Sequence, residues 1–190
     1  MRIVGGDLRG RALVAPPGRD TRPTADRLRQ TVFDILAHGS HGEVLKGARV
    51  LDLFAGTGAL GLEALSRGAA YALFVEEAVA ARGAIRANIE ALGLTGRTRL
   101  FRRDATRLGP AGTVAPFALV FADPPYFKGL GEQALASALA GGWLLPGALV
   151  VLEEAGSARI APIPGLDIVD ARRTGDTQIV FLQAGAGAPG

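Results

Sequence analysis

From Ala48 onward, short runs of apolar residues alternate with stretches in which apolar residues recur every three or four positions. ARVLDLF, AYALFVE, FALVFAD and ALVVLEE read as strands buried on both faces, and TRLFRRD as a more polar strand between the second and the third of these. GALGLEALSRG, VAARGAIRANIEALG and LGEQALASALAGG carry the helical period, and Gly68 and Gly93 stand where helices stop. GLDIVDARR and DTQIVFLQ, joined by Thr174-Gly175, predict a closing hairpin that adds an antiparallel strand. The sum is an α/β domain: a mostly parallel seven-stranded sheet with helices on both faces.

The chain before Ala48 follows another pattern. RIVGGDLRGRALVA predicts a β-hairpin around Gly5-Gly6-Asp7, and PPGRDTRPT is a connector without periodicity. Leu28, Val32, Ile35 and Leu36 recur at helical spacing, so a helix is expected from an N-cap at Thr24 to Ala37 or His38, with Gly39 as its stop. Three regions result: an N-terminal hairpin and helix extension over 1–45, a self-sufficient α/β domain over 46–183, and a disordered tail over 184–190. On this reading, removal of residues 1–20 leaves the domain folded.

Composition narrows the classes. A chain of 190 residues suits one domain, and 48% apolar residues exclude global disorder. The apolar run Trp143–Leu152 is broken by Pro146 and too short for a membrane span, and MRIVGGDLRGR lacks a signal-peptide core. The absence of cysteine excludes disulfides, thiolate catalysis and Cys-ligated metals, and His38 and His41 have no metal-ligand spacing. A cytoplasmic monomer without metal or membrane contact is expected. The net charge is +3, but residues 1–29 alone hold seven arginines against three aspartates. A second cluster, Arg97, Arg99, Arg102, Arg103 and Arg107, surrounds Asp104. Guanidinium groups match phosphate geometry, so both clusters can face nucleic acid.

Candidate chemistry begins at Gly56-Thr57-Gly58-Ala59-Leu60-Gly61, a G-x-G-x-x-G loop after a strand and before a helix. Such a loop brings Phe54, Gly56, Thr57, Gly58 and Gly61 against a ligand. Glu76 ends the next strand, where a carboxylate can accept both hydroxyls of a ribose. Nicotinamide dinucleotides and S-adenosylmethionine share this geometry. Asp52, inside the strand end, repels pyrophosphate and suits the cationic amino-acid end of S-adenosylmethionine. Asp104 and Ala105 follow the third strand, where Asp104 can reach an adenine amino group or pair with Arg102 or Arg103.

Asp123-Pro124-Pro125-Tyr126 ends the fourth strand, at the carboxyl edge where ligands bind in such sheets. An exocyclic amine on a base is a poor nucleophile because its lone pair is conjugated into the ring. The Asp123 carboxylate and the Pro124 carbonyl can each accept a hydrogen bond from it, aim the lone pair and stabilise the positive charge that develops on nitrogen. Pro125 restricts residue 124 to extended geometry, and Tyr126 offers a face for stacking on an extruded base.

The segments RIVGGDLRGRAL, TRPTADRLRQTVFDIL, DLFAGTGALGLEALSRGA, FVE and ADPPYFKGL together resemble the bacterial 16S ribosomal RNA guanine-N2 methyltransferase family, small-subunit methyltransferase D. The resemblance implies a Rossmann-like class I methyltransferase fold that uses S-adenosylmethionine. It implies that the N-terminal hairpin and connector help bind RNA, giving Arg2, Arg9, Arg11, Arg22, Thr24 and Arg27 that role, and that Asp123, Pro124 and Tyr126 hold the guanine. The implied substrate is 16S ribosomal RNA within a small ribosomal subunit particle. Two stretches depart from the family pattern: Glu77-Ala78 after Glu76, and Thr174-Gly175-Asp176-Thr177 near the C-terminus. A DNA adenine-N6 methyltransferase, a non-catalytic RNA-binding assembly protein with a vestigial pocket and a nicotinamide-dependent oxidoreductase are the competing readings. The first is disfavoured by the lack of a separate target-recognition domain.

Overall fold

A computed structural model describes residues 1–16, 23–39 and 43–186 of the chain. Its elements are α1 (Pro23–His38), β1 (Arg49–Leu53), α2 (Ala59–Ser66), β2 (Tyr71–Val75), α3 (Val79–Ala91), β3 (Thr98–Phe101), β4 (Phe117–Ala122), α4 (Leu130–Ala140), β5 (Leu144–Ala155), β6 (Leu166–Thr174) and β7 (Thr177–Ala184). The strands form one seven-stranded sheet in the order β3-β2-β1-β4-β5-β7-β6. β1 pairs in parallel with β2 and β4, β2 with β3, and β4 with β5, whereas β7 runs antiparallel to both β5 and β6. The closing hairpin and the antiparallel strand of the sequence reading are thus present.

The unbroken apolar runs follow from burial on both faces. Val50, Phe74, Leu119 and Phe121 face one side with Leu28, Val32, Phe33 and Leu36 of α1, Leu62 and Leu65 of α2, and Ile85 and Ile89 of α3. Leu51, Leu53, Leu73, Val120, Val150 and Leu152 face the other, against Ala134, Leu135 and Ala138 of α4 and Trp143. The strand period of two sends neighbours in β1 to opposite layers. It puts Asp52 on the side of α2, the same side as Val50.

The N-terminal extension shares this core. Ile3 and Leu13 are buried in it beside α1. The first residues form a hairpin closed by an Arg2–Ala12 bridge, with Ile3 N–H donating to Arg11 O at 2.9 Å. Its turn docks on α2: Val4 and Gly5 N–H donate to Glu63 at 2.9 and 2.7 Å, and Leu8 N–H donates to Ser66 Oγ at 2.9 Å. Gly6 has φ +75°, and a Cβ there would lie 1.9 Å from the Ser66 carbonyl oxygen, so only glycine permits this approach. Ile3 and Leu13 thus belong to the same core as the α/β layers, which the expectation of a self-sufficient domain over 46–183 did not include.

Element boundaries shift in places. α1 begins at Pro23, so Thr24 lies within its first turn instead of capping it; proline suits that first position because its missing N–H has no helical partner. β5 begins at Leu144, ahead of the apolar run that announced it. Ala184 is the last residue of β7, buried and paired with Leu166, so the expected tail starts later than residue 184; residues 187–190 lie outside the described chain. Among the described residues, no helix is long and apolar enough to cross a membrane, and no cluster of His, Asp and Glu is arranged to hold a metal.

Candidate active site

The carboxyl ends of β1, β2, β4 and β5 open on a cavity of about 860 Å³. Asp52, Phe54, Gly56 and Thr57 line it from β1 and its loop, Glu76 from the end of β2, Asp123 to Tyr126 from the end of β4, and Glu153 from β5. Met1, Leu28, Arg29 and Val32 wall it from the extension. The two motifs that stand far apart in the sequence thus share one chamber because β1 and β4 are neighbours.

The glycine loop is held by carboxylates. Gly61 N–H, at the start of α2, donates to Asp52 Oδ2 at 2.9 Å, and Gly56 N–H donates to Glu76 Oε2 at 2.8 Å. The other Glu76 oxygen accepts from Ala78 N–H at 2.8 Å, at the start of α3, where Ala78 has no polar side chain to make a cap. Phe54 and Gly58 carry φ +58° and +79°, a turn tight enough to expose backbone to the cavity. Gly61 serves packing: a Cβ there would sit 2.4 Å from the Phe74 ring. Gly58 and Gly61 shape the loop without lining the cavity. Asn88, buried on α3, donates to Thr57 O and Val14 O at 3.0 Å each and accepts from Val14 N–H, tying the loop to the extension.

Asp52 is 1% exposed. Burial pushes its carboxyl well above the ordinary carboxylate range, against the pull of the Gly61 hydrogen bond, and the neighbouring Asp123 and Glu76 charges push it further. The sequence reading gave Asp52 direct charge pairing with a cofactor; its first partner is the N-terminus of α2. Asp104 and Ala105 are not on the cavity wall. Asp104 caps a short 3₁₀ turn, accepting from Thr106 N–H at 2.8 Å and Thr106 Oγ1 at 2.7 Å, and these bonds lower its pKa. Neither Arg102 nor Arg103 forms an ion pair with it among the described residues.

Tyr126 is half-buried, and its hydroxyl donates to Glu153 Oε1 at 2.6 Å and meets Thr177 Oγ1 at 3.2 Å. Burial first, and then this bond to a carboxylate, raise the phenol's pKa. Burial likewise raises that of Glu153, which the Tyr126 donor partly offsets. Phe127 N–H donates to Glu154 Oε1 at 3.1 Å. Two successive acids of β5 therefore clamp the loop that leaves β4. Their sequence signal was an acidic pair at the carboxyl end of a buried strand, which periodicity alone did not assign to a partner.

The family model described as Conserved hypothetical protein 95 matches residues 1–183. The Escherichia coli K12 protein named Ribosomal RNA small subunit methyltransferase D is 42% identical over 154 residues, covering 80% of this chain and 74% of that one. The chain belongs to the small-subunit methyltransferase D family. The Haemophilus influenzae member is 33% identical over 155 residues, covering 80% of this chain and 78% of its own. In three dimensions, the solved Escherichia coli protein yhhF superposes with a TM-score of 0.82 at 34% identity, over 98% of this chain and 99% of its own. Within this methyltransferase family, the matched region takes in the hairpin, the glycine loop and the Asp-Pro-Pro-Tyr loop alike.

The extension's candidate RNA contacts are surface groups. Arg2, Arg9, Arg11 and Arg27 are exposed, and Arg11 Nη2 donates to Ala91 O at 2.6 Å; Arg22 lies outside the described residues. Arg29 is different: it is buried, pairs with Asp26 at 2.9 Å and Glu63 at 3.5 Å, and also donates to Arg2 O. Sequence reasoning counted it only as charge.

Proposed function

We propose that this chain transfers a methyl group from S-adenosylmethionine to the exocyclic N2 amine of a guanine in 16S ribosomal RNA, within a small ribosomal subunit particle. The observation that carries the reading is the shared cavity: Asp52, Glu76, Asp123 and Glu153 bring four carboxylates to the same wall as the glycine loop and Tyr126. Among the described residues these acids outnumber the single guanidinium on the wall, Arg29; this disfavours a dinucleotide pyrophosphate and suits a ligand with positive charge on sulfur and nitrogen. S-Adenosylmethionine, when bound, supplies an electrophilic methyl group on a sulfonium. Gly56, Thr57 and Glu76 would hold its nucleoside and amino-acid parts, with Asp52 fixing the loop from below.

The remaining chemistry belongs to the β4 loop. Asp123 and the Pro124 carbonyl accept hydrogen bonds from the target amine and orient its lone pair. Their interaction strengthens as positive charge develops on nitrogen, so it favours the transition state over the bound substrate. Tyr126 provides the stacking face, its ring fixed by Glu153. Arg2, Arg9, Arg11 and Arg27, exposed on the extension, are the proposed RNA contacts, and the same role is proposed for Arg22 and Thr24 from the sequence. The names of the Escherichia coli and Haemophilus influenzae relatives support ribosomal RNA of the small subunit as substrate. Mapping N2-methylguanine in 16S ribosomal RNA from a strain lacking this gene tests the reading. One guanine should lose its methyl group and regain it on complementation; an unchanged map would overturn it.

A further inference from the structure

We propose that Phe127 stacks on a nucleotide flanking the target and holds the RNA strand at the mouth of the cavity, a role that rests on the RNA-methylating reading above. Phe127 directly follows Tyr126, yet it does not line the cavity; its side chain is 70% exposed. A lone exposed apolar residue is ordinary. This one is also held at φ +62°, a backbone region that glycine or asparagine would adopt with less strain. Among the described residues, the other non-glycine with positive φ is Phe54, on the cofactor side of the same cavity.

The strain is imposed from outside the loop. Phe127 N–H donates at 3.1 Å to Glu154 Oε1, and Glu154 is 3% exposed and also accepts from Ala155 N–H at 2.8 Å. On the preceding residue, the Tyr126 hydroxyl is fixed to Glu153 at 2.6 Å. Beyond it, Gly129 with φ +62° starts α4. The loop is therefore pinned on both sides, and the Phe127 ring is presented outward with little burial to offset the strain. Strain persisting in a clamped loop beside a reaction site points to function.

The direction of the two rings supplies that function. A base must leave its stack to reach Asp123, so its neighbours stay outside, at the rim. Tyr126 lines the inside of the rim and Phe127 stands beyond it. An aromatic face accepts any base, which suits contact to a flanking nucleotide. Lys128, exposed and next in sequence, offers a charge to the adjoining phosphate.

Three variants of the full-length protein test the role: Phe127→Asn, which keeps the backbone conformation without a ring, Phe127→Leu, which keeps apolar bulk, and Phe127→Tyr, which keeps the ring. The probes are a short single-stranded RNA carrying 2-aminopurine, read by fluorescence quenching, and unmodified small-subunit particles, read by single-turnover methylation. Phe127→Asn is expected to melt at or above the wild-type temperature and to bind S-adenosylmethionine as wild type does. It should lose roughly 5- to 150-fold in RNA affinity, the equivalent of one base–aromatic stack, together with the quenching. Phe127→Tyr should restore both and Phe127→Leu neither. Wild-type affinity and quenching in Phe127→Asn, or full rescue by Phe127→Leu, would overturn the stacking role while leaving methylation by the wild-type protein intact. A wild-type protein that quenches the RNA through Phe127 but methylates no particle would support the stacking role and overturn the methylation reading instead.

Discussion

The phenol of Tyr126, on the loop after β4, donates a 2.6 Å hydrogen bond to Oε1 of Glu153 on β5. The stacking role proposed for Tyr126 needs a face and a fixed orientation, and this bond supplies the second. Tyr126→Phe keeps the face and loses the bond to Glu153 with the longer contact to Thr177, so turnover should fall by roughly 2- to 13-fold, the equivalent of about 0.5–1.5 kcal/mol for the Glu153 bond. Tyr126→Ala loses the face as well and should weaken RNA capture by a further ~1–3 kcal/mol. Glu153→Gln can still accept from the phenol and should resemble wild type, while Glu153→Leu should resemble Tyr126→Phe. Single-turnover rates and RNA affinities of the four variants check this; a Phe variant as damaged as the Ala variant would remove stacking from the account.

Asp52 makes stability depend on pH. Its folded-state pKa is raised by burial, so the folded protein holds this proton to higher pH than the unfolded chain does. The stability linked to it is fully present below the unfolded value of about 4 and is lost as pH rises through the raised folded value. Asp52→Asn retains an oxygen for Gly61 N–H and removes the titration. Thermal melts from about pH 5 to about pH 8 should show the variant gaining on wild type as pH rises, over the window this shift defines. Melting curves that keep a constant separation would contradict the assignment.

Glu63, 0% exposed, joins the extension to the α/β layers. It accepts from Val4 and Gly5 N–H and pairs with Arg67 at 2.8 Å and Arg29 at 3.5 Å. Glu63→Ala removes the buried carboxylate that Arg29 and Arg67 share, leaving Arg29 with Asp26 and Arg67 with the more distant Asp34, and strands two hairpin N–H groups; it should destabilise the fold by about 3–5 kcal/mol. Chemical denaturation followed by the fluorescence of Trp143, the sole tryptophan, reads the loss. Deletion of residues 1–14 should also destabilise, because Ile3 and Leu13 leave the shared core with it. A truncated chain as stable as wild type would return the extension to the status of an appendage.

Glu76→Gln should weaken S-adenosylmethionine binding by about 1–3 kcal/mol. The amide cannot accept from Gly56 and Ala78 N–H on both of its heavy atoms, so the glycine loop loosens as the ribose loses a charged acceptor. Titration calorimetry measures the difference, and an unchanged affinity would take the ribose away from this residue.

The legible part of the sequence was what local pattern encodes. Runs such as FALVFAD announced central strands because a parallel strand is buried on both faces, and Asp-Pro-Pro-Tyr announced its own site because two prolines end such a strand abruptly. The pairing of distant groups was not legible. Glu63 read as one acid in an apolar helix, while its partners lie 58 and 59 residues earlier, in the hairpin. Glu153 closed a strand, and only the adjacency of β4 and β5 brought Tyr126 to it. Asp104 was legible as a turn acid, but its local partner, Thr106 two residues on, was not.

The most direct test of the account is the single-turnover rate of Asp123→Ala at saturating S-adenosylmethionine and unmodified small-subunit particles, beside its cofactor affinity. Asp123 lines the cavity with the glycine loop and Glu76 but belongs to the other motif, and its task is assigned to an amine whose charge changes only as the methyl group moves. The rate should fall by roughly 10²–10³, as for removal of one preorganised group facing developing charge, with cofactor affinity close to wild type. A variant that methylates at the wild-type rate, or whose loss is wholly one of cofactor binding, would contradict it.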